Sequence, residues 1–173
     1  LGGSTTTLHT LALLKEVLAT FPKPQLKAAC ESILKIMTLG NLLITSCGMQ
    51  ALHGLFVSRP PTSRLTPQLN AQLIAALYDY QPTPSDAQPT IAWLTVMQEA
   101  YITLARSDIA LCSANLMRLY TIVIQLLLSD KTEVMNAATL TLTAVTEDCV
   151  APICSPALFN TYKQILSKIF GVI

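Results

Sequence analysis

The 173 residues predict an all-α fold: a superhelix of HEAT- or armadillo-like helical hairpins built from about eight helices. Three observations lead there. Proline, glycine and small polar residues cut the chain into segments of helix length. Apolar residues inside those segments recur at helical spacing rather than alternating. Comparable segments then return every 45 residues, inside the period of about 40–47 residues that two-helix repeats show.

The strong breaks are Phe21-Pro22-Lys23-Pro24, Leu39-Gly40-Asn41, Arg59-Pro60-Pro61-Thr62 and Gln81-Pro82-Thr83-Pro84-Ser85, with softer ones near Asp108, Ser129-Asp130 and Ala151-Pro152. Between them the sequence predicts helices over 5–20, 24–38, 42–57, 67–79, 87–106, 109–128, 131–147 and 156–170. In the first, Leu8, Leu11, Leu14 or Lys15, and Leu18 share a face, and Ser4 with the threonines after it can cap the start. In the second, Leu26, Cys30, Ile33, Leu34 and Met37 form the apolar stripe, and Lys23, Lys27, Glu31 and Lys35 step along the other face at intervals of four. Asn41 is the expected cap of the third helix and Asp130 of the seventh. Within the seventh, "TLTLTAV" (Thr139 to Val145) alternates like a strand. Val134, Ala137, Ala138, Leu142 and Val145 carry a helical stripe through it, and no neighbouring segment offers a strand to pair with.

Asn41, Asp86 and Lys131 open comparable segments 45 residues apart. The same step aligns Cys47, Ala92 and Ala137; Gly48, Trp93 and Ala138; and Leu52, Met97 and Leu142. Small residues are expected where helices cross closely, and large apolar ones a turn later. Eight amphipathic helices also suit a closed bundle, but the period favours stacked hairpins. Residues 1–4 read as an added linker, and 5–173 as one solenoid segment with helix pairs at about 24–57, 67–106 and 109–147.

Composition restricts function. Hydrophobic residues make up 51% and charged residues 12%, against a usual charged share of about 25%. Stacked repeats bury each other's faces, which accounts for the deficit without a membrane. The charge-free run 36–58 is long enough for a span, but Gly40 breaks it and Asn41, Thr45, Ser46, Gln50 and His53 interrupt it. "LYTIVIQLLL" (residues 119–128) is purer and too short.

Five cysteines are scattered without a C-x-x-C, which points to a reducing compartment rather than a disulfide framework. Neither histidine lies near Cys149 and Cys154, so no zinc site and no cofactor is expected. Cys47 and His53 are six positions apart, about 600° around a helix, and do not share a face. His53 stacks instead over Met49 on the side that carries Gln50. With no carboxylate near Cys47, no catalytic residue is expected. Glycine-rich phosphate loops are absent from the sequence. Leu55, Phe56, Tyr78, Tyr80 and Trp93 read as core.

Charge is uneven: +4 over residues 1–64 and −3 over 65–173. The candidate contact set for RNA or a partner is therefore Lys23, Lys27, Lys35, Arg59 and Arg64. Two readings stay open for it, a solvated helix face with i,i+4 pairs and a phosphate-contacting patch with a steep salt dependence. No aromatic residues interleave the lysines, so base stacking is not implied.

Four stretches carry a family resemblance: "TTTLHTLALLKEVLATFP", "MTLGNLLITSCGMQALHGLF", "LTPQLNAQLIAALYDYQPTPSDAQPTIAWLTVMQEAYITL" and "CVAP". Together they resemble the central HEAT-type domain of the ribosomal RNA-processing protein twelve family, from about Thr5 to Pro152. Within the third, Leu69 to Leu94 is the most specific segment. The resemblance implies a fragment of a long helical solenoid that is not an enzyme and resides in the nucleolus and nucleus. It implies work in pre-rRNA processing and pre-ribosomal subunit export, alongside assembly factors, the protein's own neighbouring repeats and pre-rRNA. Neither a membrane nor a small-molecule substrate is expected. The alternative is a karyopherin-like transport adaptor that takes signal peptides in its groove. Its acidic residues should then cluster, and here they are scattered.

Overall fold

The computed structural model describes residues 23–154 and 156–170. Among these residues the chain is all-helical, with no strand. Its α-helices are α1 (Lys23–Met37), α2 (Leu42–Val57), α3 (Pro67–Leu77), α4 (Ala87–Ser107), α5 (Ile109–Leu126), α6 (Thr132–Val145) and α7 (Pro156–Phe170). Short 3-10 turns cover Tyr78–Tyr80 and Ala151–Ile153, and one π-helical turn covers Thr146–Val150. The helical-repeat fold read from the sequence is the observed one. The helix expected over 5–20, and residues 1–4, lie outside the described residues.

The chain divides into two compact units, Leu1–Gln81 and Pro82–Ile173. In the first, α1 and α2 form a hairpin. The turn between them is closed by Gly40, whose φ of 74° suits a residue without a Cβ, with its N–H donating to the Met37 carbonyl at 3.2 Å. Asn41 then caps α2 as expected, its Oδ1 accepting from Leu43 N at 2.9 Å and Ile44 N at 3.2 Å. Leu26, Cys30, Ile33 and Met37 turn one face of α1 into the core. Against them α2 sets Ala51, Leu52, Leu55 and Phe56, each fully buried. Burying each large side chain contributes about 1.5–3 kcal/mol.

Gly48 is where the two helices touch. A Cβ there would lie 2.6 Å from Met37 Cγ and Sδ and 3.4 Å from Ile33 Cγ2. α3 starts on a Thr66 cap with Pro67 in its first turn, and it packs on α1. Tyr80, just past α3, donates its hydroxyl to the Leu34 carbonyl at 3.0 Å. That bond ties the C-terminal ends of α1 and α3 together.

The second unit is built from α4, α5 and α6. A single residue, Asp108, separates α4 from α5; its extended backbone stops one helix, and its carboxylate caps the next by accepting from Leu111 N at 3.0 Å. α4 packs on α5 and most extensively on α6. Gln88, at the start of α4, donates to Glu133 Oε2, at the start of α6, over 3.1 Å. These partners are 45 positions apart, the period read from the sequence, and their N-termini lie side by side, so α4 and α6 are parallel. Trp93 and Tyr101 are the largest fully buried side chains of this unit. Tyr101 satisfies its hydroxyl on the Asn115 carbonyl at 3.0 Å, as a buried phenol must.

The aligned positions separate by burial. Gly48, Trp93 and Ala138 are buried, as are Leu52, Met97 and Leu142. Cys47 and Ala137 are half-buried and Ala92 is exposed. The close helix approach therefore uses Gly48, and the set beginning with Cys47 faces outward instead.

Candidate functional site

All five candidate cations belong to the first unit. Lys23 is the first residue of α1. One turn on, the Lys27 ammonium pairs with Glu31 Oε1 at 3.9 Å, with the two side chains 57% and 64% exposed. An i,i+4 pair so open to water contributes a few tenths of a kcal/mol at most. Lys35 is exposed in the last turn of α1, where a cation is favoured by the helix dipole.

Arg59 and Arg64 are half-buried in the loop after α2. Arg59 adopts a left-handed backbone, φ 52°, uncommon for a residue with a side chain. Its N–H donates to the Phe56 carbonyl at 3.1 Å, and its Nη1 reaches the same oxygen at 3.5 Å. The loop closes again at Arg64, whose N–H donates to the Pro61 carbonyl at 2.9 Å.

The two helices of the hairpin pack antiparallel, so the end of α2 that leads to Arg59 lies towards the start of α1. Lys35 lies eight residues further along α1 than Lys27, about 12 Å of helix rise. Three of the five share one electrostatic advantage: no Asp or Glu occurs between Glu31 and Asp79, so Lys35, Arg59 and Arg64 are the only charged side chains of that stretch.

Other candidates resolve into packing or surface. His53 and Cys47 are both half-buried on α2. Met49, placed by sequence reasoning on the more polar side, is buried at 5% exposure. Leu55, Phe56, Tyr78 and Trp93 are core, while Tyr80 is half-buried and spends its hydroxyl on Leu34. Asp130 does not cap α6; Ser129 Oγ accepts from Lys131 N at 3.1 Å instead. Among the described residues no group of three or more His, Cys, Asp or Glu side chains is placed to hold a metal. A shallow depression of about 310 Å³ runs along Lys163, Gln164, Ser167 and Lys168 of α7. Lys163 there pairs with Glu147 at 3.6 Å.

α5 is long and apolar enough to cross a membrane. In this fold its apolar stripe, Cys112, Leu116, Leu119, Val123 and Leu126, is buried in the second unit. Sequence reasoning missed the outward apolar side chains. Leu39, Leu42 and Leu43 at the α1–α2 turn are 72%, 80% and 61% exposed, and Leu140 on α6 is 70% exposed. The absence of charge from 36 to 58 held a signal of the first group, which was read as burial.

The chain is similar to proteins named RRP12-like protein from three animals. It is 47% identical to the chicken protein over 149 residues, 47% identical to the human protein over 154, and 38% identical to the fruit-fly protein over 154. These matches take in 86%, 87% and 88% of this chain, but only 12%, 12% and 11% of the relatives. No protein-family model matches the chain. The chain belongs to the RRP12-like family, matching one short segment of its much longer members.

Proposed function

We propose that this chain is a non-enzymatic scaffold segment of a nucleolar ribosome-biogenesis factor that acts in pre-rRNA processing and pre-ribosomal subunit export. The observation that carries the reading is the 47% identity to RRP12-like proteins across 86–87% of the chain. The architecture supports it: helical hairpins offer extended surface for assembly factors and for the protein's own neighbouring repeats. Neither a membrane, a cofactor nor a small-molecule substrate enters this reading.

The cation set Lys23, Lys27, Lys35, Arg59 and Arg64 is the proposed pre-rRNA contact. Its support is the net charge of +4 over residues 1–64 and, for Lys35, Arg59 and Arg64, the acid-free stretch between Glu31 and Asp79. Phosphate contacts release counterions, so each one adds about 0.7–0.9 to the salt slope of binding. The test is binding of the intact protein to a pre-rRNA fragment across a salt series, repeated with Lys27→Glu, Arg59→Glu and Arg64→Glu. The expected outcome is weaker binding and a shallower slope. Affinity and slope both unchanged would reduce the patch to a solvated face.

A further inference from the structure

We propose that Thr62 is a phosphorylation site for a basophilic protein kinase, and that its phosphate withdraws Arg59 and Arg64 from RNA. Kinases of this class select an arginine or lysine three residues before the acceptor hydroxyl, pairing it with their own carboxylates. Three hydroxyl residues of the chain have a cation at that spacing: Thr38 after Lys35, Thr62 after Arg59 and Thr121 after Arg118.

The fold separates these three. Thr121 lies inside α5 and donates its hydroxyl to the Met117 carbonyl at 2.9 Å, and Thr38 donates to the Lys35 carbonyl at 2.6 Å. A kinase cleft takes its substrate extended, which the middle of a helix does not offer. Thr62 lies in the loop between α2 and α3, exposed at a turn that the Arg64 N–H closes onto the Pro61 carbonyl at 2.9 Å. Surface loops of this kind open locally at small cost. The hydroxyls at the two ends of the loop are already committed: Ser58 donates to the Leu55 carbonyl at 2.6 Å, and Thr66 caps α3 by accepting from Leu69 N at 3.2 Å. Ser63 is as exposed as Thr62, but Arg59 falls four places before it. Val57, 48% exposed at the end of α2, lies five places before Thr62, where calmodulin-dependent kinases accept an apolar side chain.

In the transfer, Thr62 Oγ1 attacks the γ-phosphorus of ATP. An O–P bond forms, the bond from that phosphorus to the β,γ-bridging oxygen breaks, ADP leaves, and the hydroxyl proton passes to the kinase's base. The phosphate brings about −1.5 to −2 charge at pH 7 to a loop whose neighbours are cationic, since no Asp or Glu lies between Glu31 and Asp79. Arg59 precedes it by three residues and Arg64 follows it by two, at most about 11 Å of chain. An arginine side chain and a phosphothreonine together cover that span, so both guanidiniums can pair with the new oxygens. Arginines held this way no longer meet RNA phosphates, and the added charge repels them. This second half rests on the RNA contact proposed above.

The test treats the intact protein with ATP and a calcium/calmodulin-dependent protein kinase and maps the phosphate by peptide sequencing. The expected result is phosphate on Thr62, its loss from that loop in Thr62→Ala, and incorporation about tenfold slower in Arg59→Ala, which lacks one charge-assisted contact to the kinase. Phosphate confined to Thr38, Ser63 or Thr121, or no phosphate at all, overturns the site, as does an unchanged rate in Arg59→Ala. Binding to a pre-rRNA fragment across a salt series is then measured with and without the phosphate. The expected effect is weaker binding and a salt slope shallower by about 1.4–1.8, the share of two phosphate contacts. Binding unchanged by full phosphorylation of Thr62 overturns the withdrawal and spares the RNA contact. Failure of the unmodified protein to bind RNA overturns that contact and the withdrawal with it, while the mapping still decides the site.

Discussion

The two units meet the same repeat register with opposite solutions. In the first, the position is Gly48, and α1 fills the space with Met37, close enough that an added Cβ would collide at 2.6 Å. In the second, 45 residues on, the position is Trp93, and the indole fills the space itself at 1% exposure. Register is set by where helices start and how long they run. Volume at a given register is settled locally, by whichever helix supplies the side chain. The units also differ in charge, +3 over residues 1–81 and −2 over 82–173.

The largest expected effect comes from emptying the second solution. Trp93→Ala removes the biggest fully buried side chain and should cost about 3–5 kcal/mol, measured by denaturant unfolding. A cost below about 1 kcal/mol would mean that the indole does not fill this core.

Buried thiols sharpen the contrast next. In the first unit Cys30 lies in the stripe of α1, and burial, with Glu31 beside it, pushes it up to about 12 from 9.0. A folded pKa raised this way contributes stability below about pH 9 that is lost as pH rises towards 12. At pH 11 the loss attributable to Cys30 is about 2–3 kcal/mol. The alkaline limb of stability against pH should flatten in Cys30→Ala, and an unchanged limb would remove Cys30 as its cause.

Filling the first solution has a smaller effect. Gly48→Ala gains about 1 kcal/mol of helix propensity, but overpacking against Met37 costs about 1–3 kcal/mol. A net loss of about 1 kcal/mol is expected by chemical denaturation; a stabilised variant would show that Met37 yields. Smallest of all is the Lys27–Glu31 pair. A double-mutant cycle to alanine should give a coupling below about 0.5 kcal/mol, and a larger value would assign the lysine a structural role.

Much of the fold was legible because helix length and apolar spacing are local. Lys23–Met37, Leu42–Val57 and Pro156–Phe170 match their expected spans within a residue. Thr139 to Val145 is helical despite its alternation, because Val134, Ala138, Leu142 and Val145 form one buried helical stripe; Thr139 and Thr143 turn their hydroxyls back onto the carbonyls of Met135 and Thr139 at 2.9 Å. The helix ends were less legible. α3 gives way to a 3-10 turn at Tyr78, and α6 to a π turn at Thr146, each a few residues ahead of the proline break that the sequence marks.

The candidate cations were visible as a charge imbalance. The fold-back of α2 along α1 was not, because it depends on packing between segments. Leu39, Leu42 and Leu43 show the limit of composition. Lack of charge reads alike for a buried helix and an exposed turn.

The central structural claim is that residues one repeat apart stand side by side. Gln88 and Glu133 test it most directly. With Gln88→Cys and Glu133→Cys in a background lacking the half-buried Cys47 and Cys154, a short bis-maleimide should bridge the two positions rapidly in the folded protein and poorly after unfolding. Efficient bridging only in the unfolded chain, or a bridge from residue 88 to some other repeat position instead, would contradict the 45-residue stacking on which the account rests.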